Sequence, residues 1–378
     1  MRVAHYSPHR IAAIGLWHLL LARGPAAHWW RAIEVEPARG AHVMQHLLVC
    51  ALALLLLAAT GACQGDAGAG GGAQSEQRPV GPLQGLGTWE LMIEEAAFSP
   101  RDTAEPLVYD GRMWISNAYY HGQVLTRDLW SSADGVNWTL VNDNTPYEGY
   151  SEMVVYQGKM WAVKGGVWSS TDGVEWTEVL AKAPFGIRKY GETVVFRDRM
   201  WQLGSGPDVW SSADGANWTC ELEQAPYGDR AFGAVTIHDG KLWLAAGALD
   251  APNDPPEEGY PQFTTCNDVW CSEDGVNWTL VTEHAPWAPR MWTVAESYRG
   301  YLWILGGYDS RHKANLGDVW YSKDGVTWYE FVSDTQWAPR HEPSTYVYDD
   351  SLWMVAGNTW PVVNDVWRLT LPPQDDAD

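Results

Sequence analysis

From Thr88 onward, short apolar stretches alternate with polar turns at a regular beat, and one figure keeps returning. The segment Trp130-Ser-Ser-Ala-Asp-Gly-Val-Asn-Trp138 is matched by Trp168–Trp176, Trp210–Trp218, Trp270–Trp278 and Trp320–Trp328. Each carries Asp-Gly at its centre, beginning at Asp134, Asp172, Asp214, Asp274 and Asp324. Asp-Gly between two alternating runs predicts a β-hairpin, because the turn needs positive φ. Ahead of each figure stands a strand pair that turns on polar residues and ends in Trp, beginning with Tyr109-Asp-Gly-Arg-Met-Trp114. Its later copies end at Trp161, Trp201, Trp243, Trp303 and Trp353. Every unit therefore predicts four strands, a meander that buries both faces only by stacking on its neighbours.

Counting tryptophans along the units shows how the repeat closes. The third strand carries one six times, at Trp130, Trp168, Trp210, Trp270, Trp320 and Trp367. The fourth carries one only five times, at Trp138, Trp176, Trp218, Trp278 and Trp328, and the last unit stops at Leu371. The missing strand stands at the other end, in Thr88-Trp89-Glu-Leu-Met92. An N-terminal strand that completes the last unit removes an exposed edge. The expected fold is all-β: a six-bladed β-propeller over 88–371 with four-stranded antiparallel blades, followed by an acidic tail at 372–378.

The residues also carry a family resemblance. Pro-Arg before the first strand, Gly306-Gly307 after the second and Asp-Val-Trp opening the third resemble kelch repeats over 88–371. The Ser-x-Asp-Gly-x-x-Trp hairpins resemble the Asp-box of sialidases, shortened by one residue between Asp and Gly. The resemblance implies that Asp satisfies turn amides and Trp packs between blades. It implies no activity, since this fold hosts many. Galactose oxidase shares the kelch fold and uses copper with Tyr, His and a cross-linked Cys; no such set stands here.

The first 87 residues read differently. Leu47 to Thr60 is an apolar run too short to span a bilayer comfortably and suited to a signal-peptide core. Ala59-Thr60-Gly61-Ala62-Cys63 resembles a bacterial lipobox, which implies lipidation of Cys63. Residues 1–43 are then an extension ahead of a start near Met44, 44–62 a lipoprotein signal peptide, and 63–87 a Gly/Ala-rich tether. Gln64 after Cys63 favours the outer membrane or cell surface. The expected location is the cell envelope, with contact to membrane through a lipid anchor only.

Charge narrows the partners. With 25 Lys+Arg against 47 Asp+Glu, the formal net charge is -22, which excludes nucleic acid as a partner because phosphates demand a basic surface. The five cysteines fit no zinc-knuckle spacing. In an oxidising envelope Cys220 and Cys266 would bond and leave Cys271 free. No histidines stand at ligand spacing, so neither a metal nor any other cofactor is expected.

Candidate chemistry gathers on one rim, where the loops joining strand four to strand one and strand two to strand three lie together. Four tryptophans exceed the scaffold count there: Trp287, Trp292, Trp337 and Trp360. Before the first strands come Arg101, Glu148, Arg188, Arg230, Arg290 and Arg340 at matching positions. Two residues after each come Thr103, Tyr150, Tyr190, Phe232, Trp292 and Glu342, and two further on Glu105, Glu152 and Glu192. Five arginines converging with Trp and Tyr in an acidic chain suit a carboxylate ligand. Ligand binding is therefore expected at Arg101, Arg188, Arg230, Arg290, Arg340, Tyr150, Trp287, Trp292, Trp337 and Trp360, with an extracellular glycan or acidic sugar as the ligand. A sugar enzyme resembling sialic acid mutarotase or sialidase is the alternative, with Glu105, Glu152, Glu192 and Tyr190 as catalytic candidates. A monomeric scaffold for an envelope protein is the third reading.

Overall fold

The computed structural model describes residues 79–120, 124–188, 190–249 and 263–373. The extension, signal peptide, Cys63, most of the tether and residues 374–378 lie outside the described residues. The described residues contain no helix and form an all-β propeller.

Six four-stranded antiparallel sheets follow one another along the chain. Their first strands are Glu105–Tyr109, Glu152–Tyr156, Glu192–Phe196, Ala234–His238, Val294–Tyr298 and Ser344–Tyr348. Each first strand packs against the first strands of the sheets before and after it, and the last touches the first, so the six surround a channel. The sixth sheet draws its outer strand from Trp89–Ile93, which pairs with Val362–Thr370 in the register Trp89↔Leu369 and Leu91↔Trp367. Just before it, the chain is tied to the fifth sheet by the Leu83 N–H, which donates to Tyr321 Oη at 3.0 Å. The N-terminal strand thus closes the ring as the tryptophan count predicts.

The two kinds of turn differ from each other. Between strands one and two, paired residues such as Asp110 and Gly111 both take positive φ (50° and 65°), giving the two-residue hairpin of a twisted ribbon. The Asp-Gly figure is instead the middle of a longer loop. Asp134 Oδ1 accepts from the N–H groups of Val136 (2.9 Å) and Asn137 (2.7 Å), while only Gly135 takes positive φ. Glycine is required here for a second reason. A Cβ on Gly135 would lie 2.3 Å from the Trp353 ring of the preceding sheet, and Gly173, Gly215, Gly275 and Gly325 cap Trp114, Trp161, Trp201 and Trp243 in the same way. Five of the six second-strand Trp, all but Trp303, are therefore wedged under the next sheet's turn, and each Nε1 donates back to its own hairpin, as that of Trp114 does to Tyr109 O at 2.9 Å. At the seam, Tyr348 Oη reaches from the sixth sheet to Gly111 O (2.6 Å) and Ala133 O (3.0 Å) of the first.

Candidate functional site

The arginines expected to face a ligand are part of the scaffold. Arg101, Arg230, Arg290 and Arg340 are buried to within a few per cent, and Arg188 is nearly so. Each pairs with an aspartate in or just before the third strand of its own sheet (Asp128, Asp208, Asp268, Asp318 and Asp365), and all but Arg188 fork onto it through two nitrogens. Arg290 is typical, with Nη1 and Nη2 both 2.7 Å from Asp318 and Nη1 also 2.8 Å from Gly306 O. The same carboxylate accepts from the third-strand indole, as Asp318 Oδ2 does from Trp320 Nε1 at 2.6 Å. Burial raises the Asp318 pKa, but the Arg290 hydrogen bonds and charge outweigh it and hold the carboxyl below its ordinary range. An Arg already satisfied this way offers nothing to a ligand carboxylate.

The surplus tryptophans are corrected likewise. Trp287 and Trp337 are 2% exposed and occupy a position filled elsewhere by Phe98, Tyr147, Phe185 and Tyr227. All six pack edge-on against a fourth-strand Trp: Phe98 on Trp138 at 5.1 Å, Trp287 on Trp328 at 5.9 Å, Trp337 on Trp89 at 6.1 Å. The indole N–H groups of Trp287 and Trp337 find no partner, consistent with a position that Phe fills equally well. Counting aromatics rather than tryptophans exposes this column in the sequence. Trp360 stays exposed (48%), its ring 5.1 Å from His341. The three described cysteines are free thiols. Cys220 Sγ contacts Leu222 O on its own strand rather than turning toward Cys266, so the expected disulfide is not formed.

The structure does bring the catalytic candidates together. Thr103, Tyr150, Tyr190, Phe232, Trp292 and Glu342 form the neck of the channel, and all six take positive φ between 48° and 63°. Left-handed backbone at non-glycine residues costs on the order of 1–3 kcal/mol each and persists only where the surroundings enforce it. Main-chain links between neighbours supply part of that enforcement: Phe232 N–H donates to Tyr190 O (3.3 Å), Trp292 to Phe232 O (3.1 Å), Glu342 to Trp292 O (2.9 Å) and Thr103 to Glu342 O (3.3 Å). The neck side chains lie ring against ring, Tyr150–Tyr190 at 5.4 Å, Tyr190–Phe232 at 4.4 Å and Phe232–Trp292 at 5.3 Å.

Below the neck lies a cavity of about 540 Å³ lined by Glu105, Glu152, Glu192, Tyr150 and Tyr190, with Glu296 deeper in. This volume is that of a small-molecule pocket. The glutamates are half-buried and line the channel. Removal from bulk water pushes Glu105 up to about 8 and Glu296 to about 7. Burial and the charge of neighbouring glutamates hold Glu152 and Glu192 well above the usual carboxylate range. The carboxyl groups of Glu105 and Glu152 are within hydrogen-bonding reach, a pair suited to sharing one proton.

The second sheet departs from the arginine pattern beside this pair. Glu148 replaces the arginine and Lys164 stands where the second strand ends. Buried Lys164 donates to Gly149 O, lies 3.6 Å from Glu148 and sits 5.4 Å over the Tyr150 ring, and its charge favours ionised Glu105 and Glu152. Lys164, Glu296 and Asp102 were not singled out from the sequence. The break in the arginine column at Glu148 was the available signal for the first of them.

No family model matches the chain, and no curated protein matches it. Among solved structures, that of YjhT aligns with a TM-score of 0.57 at 12% identity, covering 72% of this chain and 96% of YjhT. At that identity the likeness concerns the fold alone.

Proposed function

We propose that the axial cavity binds a hydroxyl-rich small molecule of the sugar class, gripped by Glu105, Glu152 and Glu192 beneath the aromatic neck. The observation that supports this most is the donor set. Carboxyls raised toward neutrality both donate and accept hydrogen bonds, as sugar hydroxyls do, and the tyrosine rings offer faces to a sugar ring. The five arginines are committed to aspartates, so a neutral sugar suits the cavity better than an acidic one. The kelch likeness and an envelope location with lipid on Cys63 belong to the same reading, which makes the ligand extracellular.

A second reading is proton-transfer chemistry on the bound sugar, of the kind a mutarotase performs, and the Glu105–Glu152 pair favours it. A proton shared between two glutamate carboxyls presents one acid and one base together. Hydrolysis by a retaining mechanism suits the pair less well. It needs two carboxyls about 5–5.5 Å apart with the glycosidic bond between them, whereas these two are in hydrogen-bonding reach.

Calorimetric titration of neutral hexoses and of sialic acid tests the binding, with Glu152→Gln and Glu192→Gln as variants. A neutral sugar should bind, and each variant should weaken it by about tenfold, the upper end of what one hydrogen bond between neutral groups contributes. Binding that is indifferent to both substitutions would remove the cavity from the proposal. Line-shape exchange between sugar anomers in the presence of protein, lost in Glu152→Gln, distinguishes turnover from binding.

A further inference from the structure

At the neck, where the last sheet meets the first, three side chains from opposite sides of the seam converge. Asp102 leads into the first sheet; His341 and Glu342 lead into the sixth. One ligand-capable atom from each lies within 4.8 Å of the other two. Atoms bound to one first-row cation at about 2.0–2.2 Å stand at most about 4.4 Å apart, so small side-chain rotations would bring all three onto a common ion.

The imidazole is prepared as a ligand. His341 is 2% exposed, stacked on Trp292 at 5.0 Å and 28°. Its Nδ1 lies 2.7 Å from Asn315 Oδ1. Asn315 Nδ2 donates to Asn358 O at 2.8 Å, which fixes the amide so that its oxygen faces the ring and Nδ1 carries the proton. The lone pair is then on Nε2, which has no hydrogen-bond partner among the described residues. A ring nitrogen held by an outer hydrogen bond while the other is left open is the arrangement around metal-bound histidines.

The carboxylates are held from behind in the same fashion. Asp102, 3% exposed, accepts from buried Asn358 Nδ2 at 2.8 Å, and Glu342 Oε2 accepts from Thr103 Oγ1 at 2.8 Å. Neither forms an ion pair with any described Lys or Arg, although Asp128, Asp208, Asp268, Asp318 and Asp365 are each paired with an arginine. Two enclosed carboxylates and an open imidazole nitrogen with no cation among them form a site short of positive charge.

We propose that Asp102, His341 and Glu342 bind one divalent first-row transition-metal cation at the neck of the channel. A donor set of two carboxylate oxygens and one imidazole nitrogen suits Zn²⁺ or Mn²⁺ and lacks the soft ligands that select Cu(I). Three protein ligands leave coordination positions open, and Glu342 already lines the cavity. The spacing argument from sequence missed the site because its ligands sit 239 residues apart and meet only when the ring closes.

The proposal stands apart from sugar binding, and so does its test. The full chain is stripped with chelator, dialysed against Zn²⁺ or Mn²⁺ and then metal-free buffer, and assayed for metal per chain and for melting temperature. One equivalent should be retained, with a rise in melting temperature that chelator reverses. Asp102→Asn, which preserves shape, should weaken affinity at least tenfold, and so should His341→Gln. His312→Gln, which removes an exposed imidazole paired with Asp309, should leave affinity unchanged. A folded wild-type protein that retains neither metal would overturn the proposal, as would Asp102→Asn binding with wild-type stoichiometry and affinity.

Discussion

Replacing Arg290 by Ala separates the scaffold role of the arginines from a ligand role. The side chain is fully buried and makes two bonds of 2.7 Å to Asp318, one of 2.8 Å to Gly306 O and one of 3.0 Å to Ala288 O. Removing one partner of a buried pair costs about 3–5 kcal/mol. Asp318 keeps some solvent contact, with 24% of its side chain exposed, which lowers the loss; the stranded Gly306 carbonyl raises it. A net loss of about 4 kcal/mol follows, and at roughly 2–4 °C per kcal/mol for a large domain the melting temperature should fall by roughly 10 °C. Urea unfolding followed by Trp fluorescence, with circular dichroism melts, measures both. Arg290→Lys keeps the charge but not the fork and should fall between the two proteins. Asp318→Asn should lose a comparable amount, and the double variant should lose clearly less than the two single losses added. An Arg290→Ala protein within 1 kcal/mol of the parent that no longer binds sugar would refute the assignment and return the guanidinium to the ligand.

Other consequences can be measured alongside. Trp89→Ala should cost about 3–5 kcal/mol, because the indole is fully buried in the closing strand; a melt unchanged within 1 °C would show that this strand does not hold the ring. Glu296 sits at about 7 in the folded protein against 4.5 unfolded, so the native state holds its proton more tightly. Its contribution is therefore most favourable at acid pH and is lost as pH rises from about 4.5 through 7, by roughly 3 kcal/mol in all. Glu296→Gln should flatten that slope and raise the melting temperature at pH 8. Labelled palmitate should enter the wild-type chain in a bacterial host and not Cys63→Ser; absence of label in both would end the lipoprotein proposal.

The repeat was legible because its determinants are local. Gly135 and Trp114 report their own turn and strand, and Trp89 was found by what the sixth unit lacked. The glutamate column was legible for the same reason, since Glu105, Glu152 and Glu192 open three first strands. The arginines misled because the fork from Arg290 to Asp318 depends on the path of an intervening loop, and composition cannot tell a paired charge from a free one. Trp287 looked surplus only because its equivalents are Phe and Tyr. Asp102 and His341 carry no spacing signal, for they are neighbours only across the closed seam.

The closing strand also sets the order of events during folding. Trp89–Ile93 is made before the other described strands and pairs with Val362–Thr370, the last of them in chain order. Contacts of such long sequence separation form slowly, since the intervening chain must be ordered first. Until then the edge of Val362–Thr370 and the face of Trp89 stay open to any other extended chain, including a second copy of this one. The ring that leaves the native protein without a free edge there makes its unfinished chain adhesive, and the interval before the two ends meet is when a chaperone would matter most.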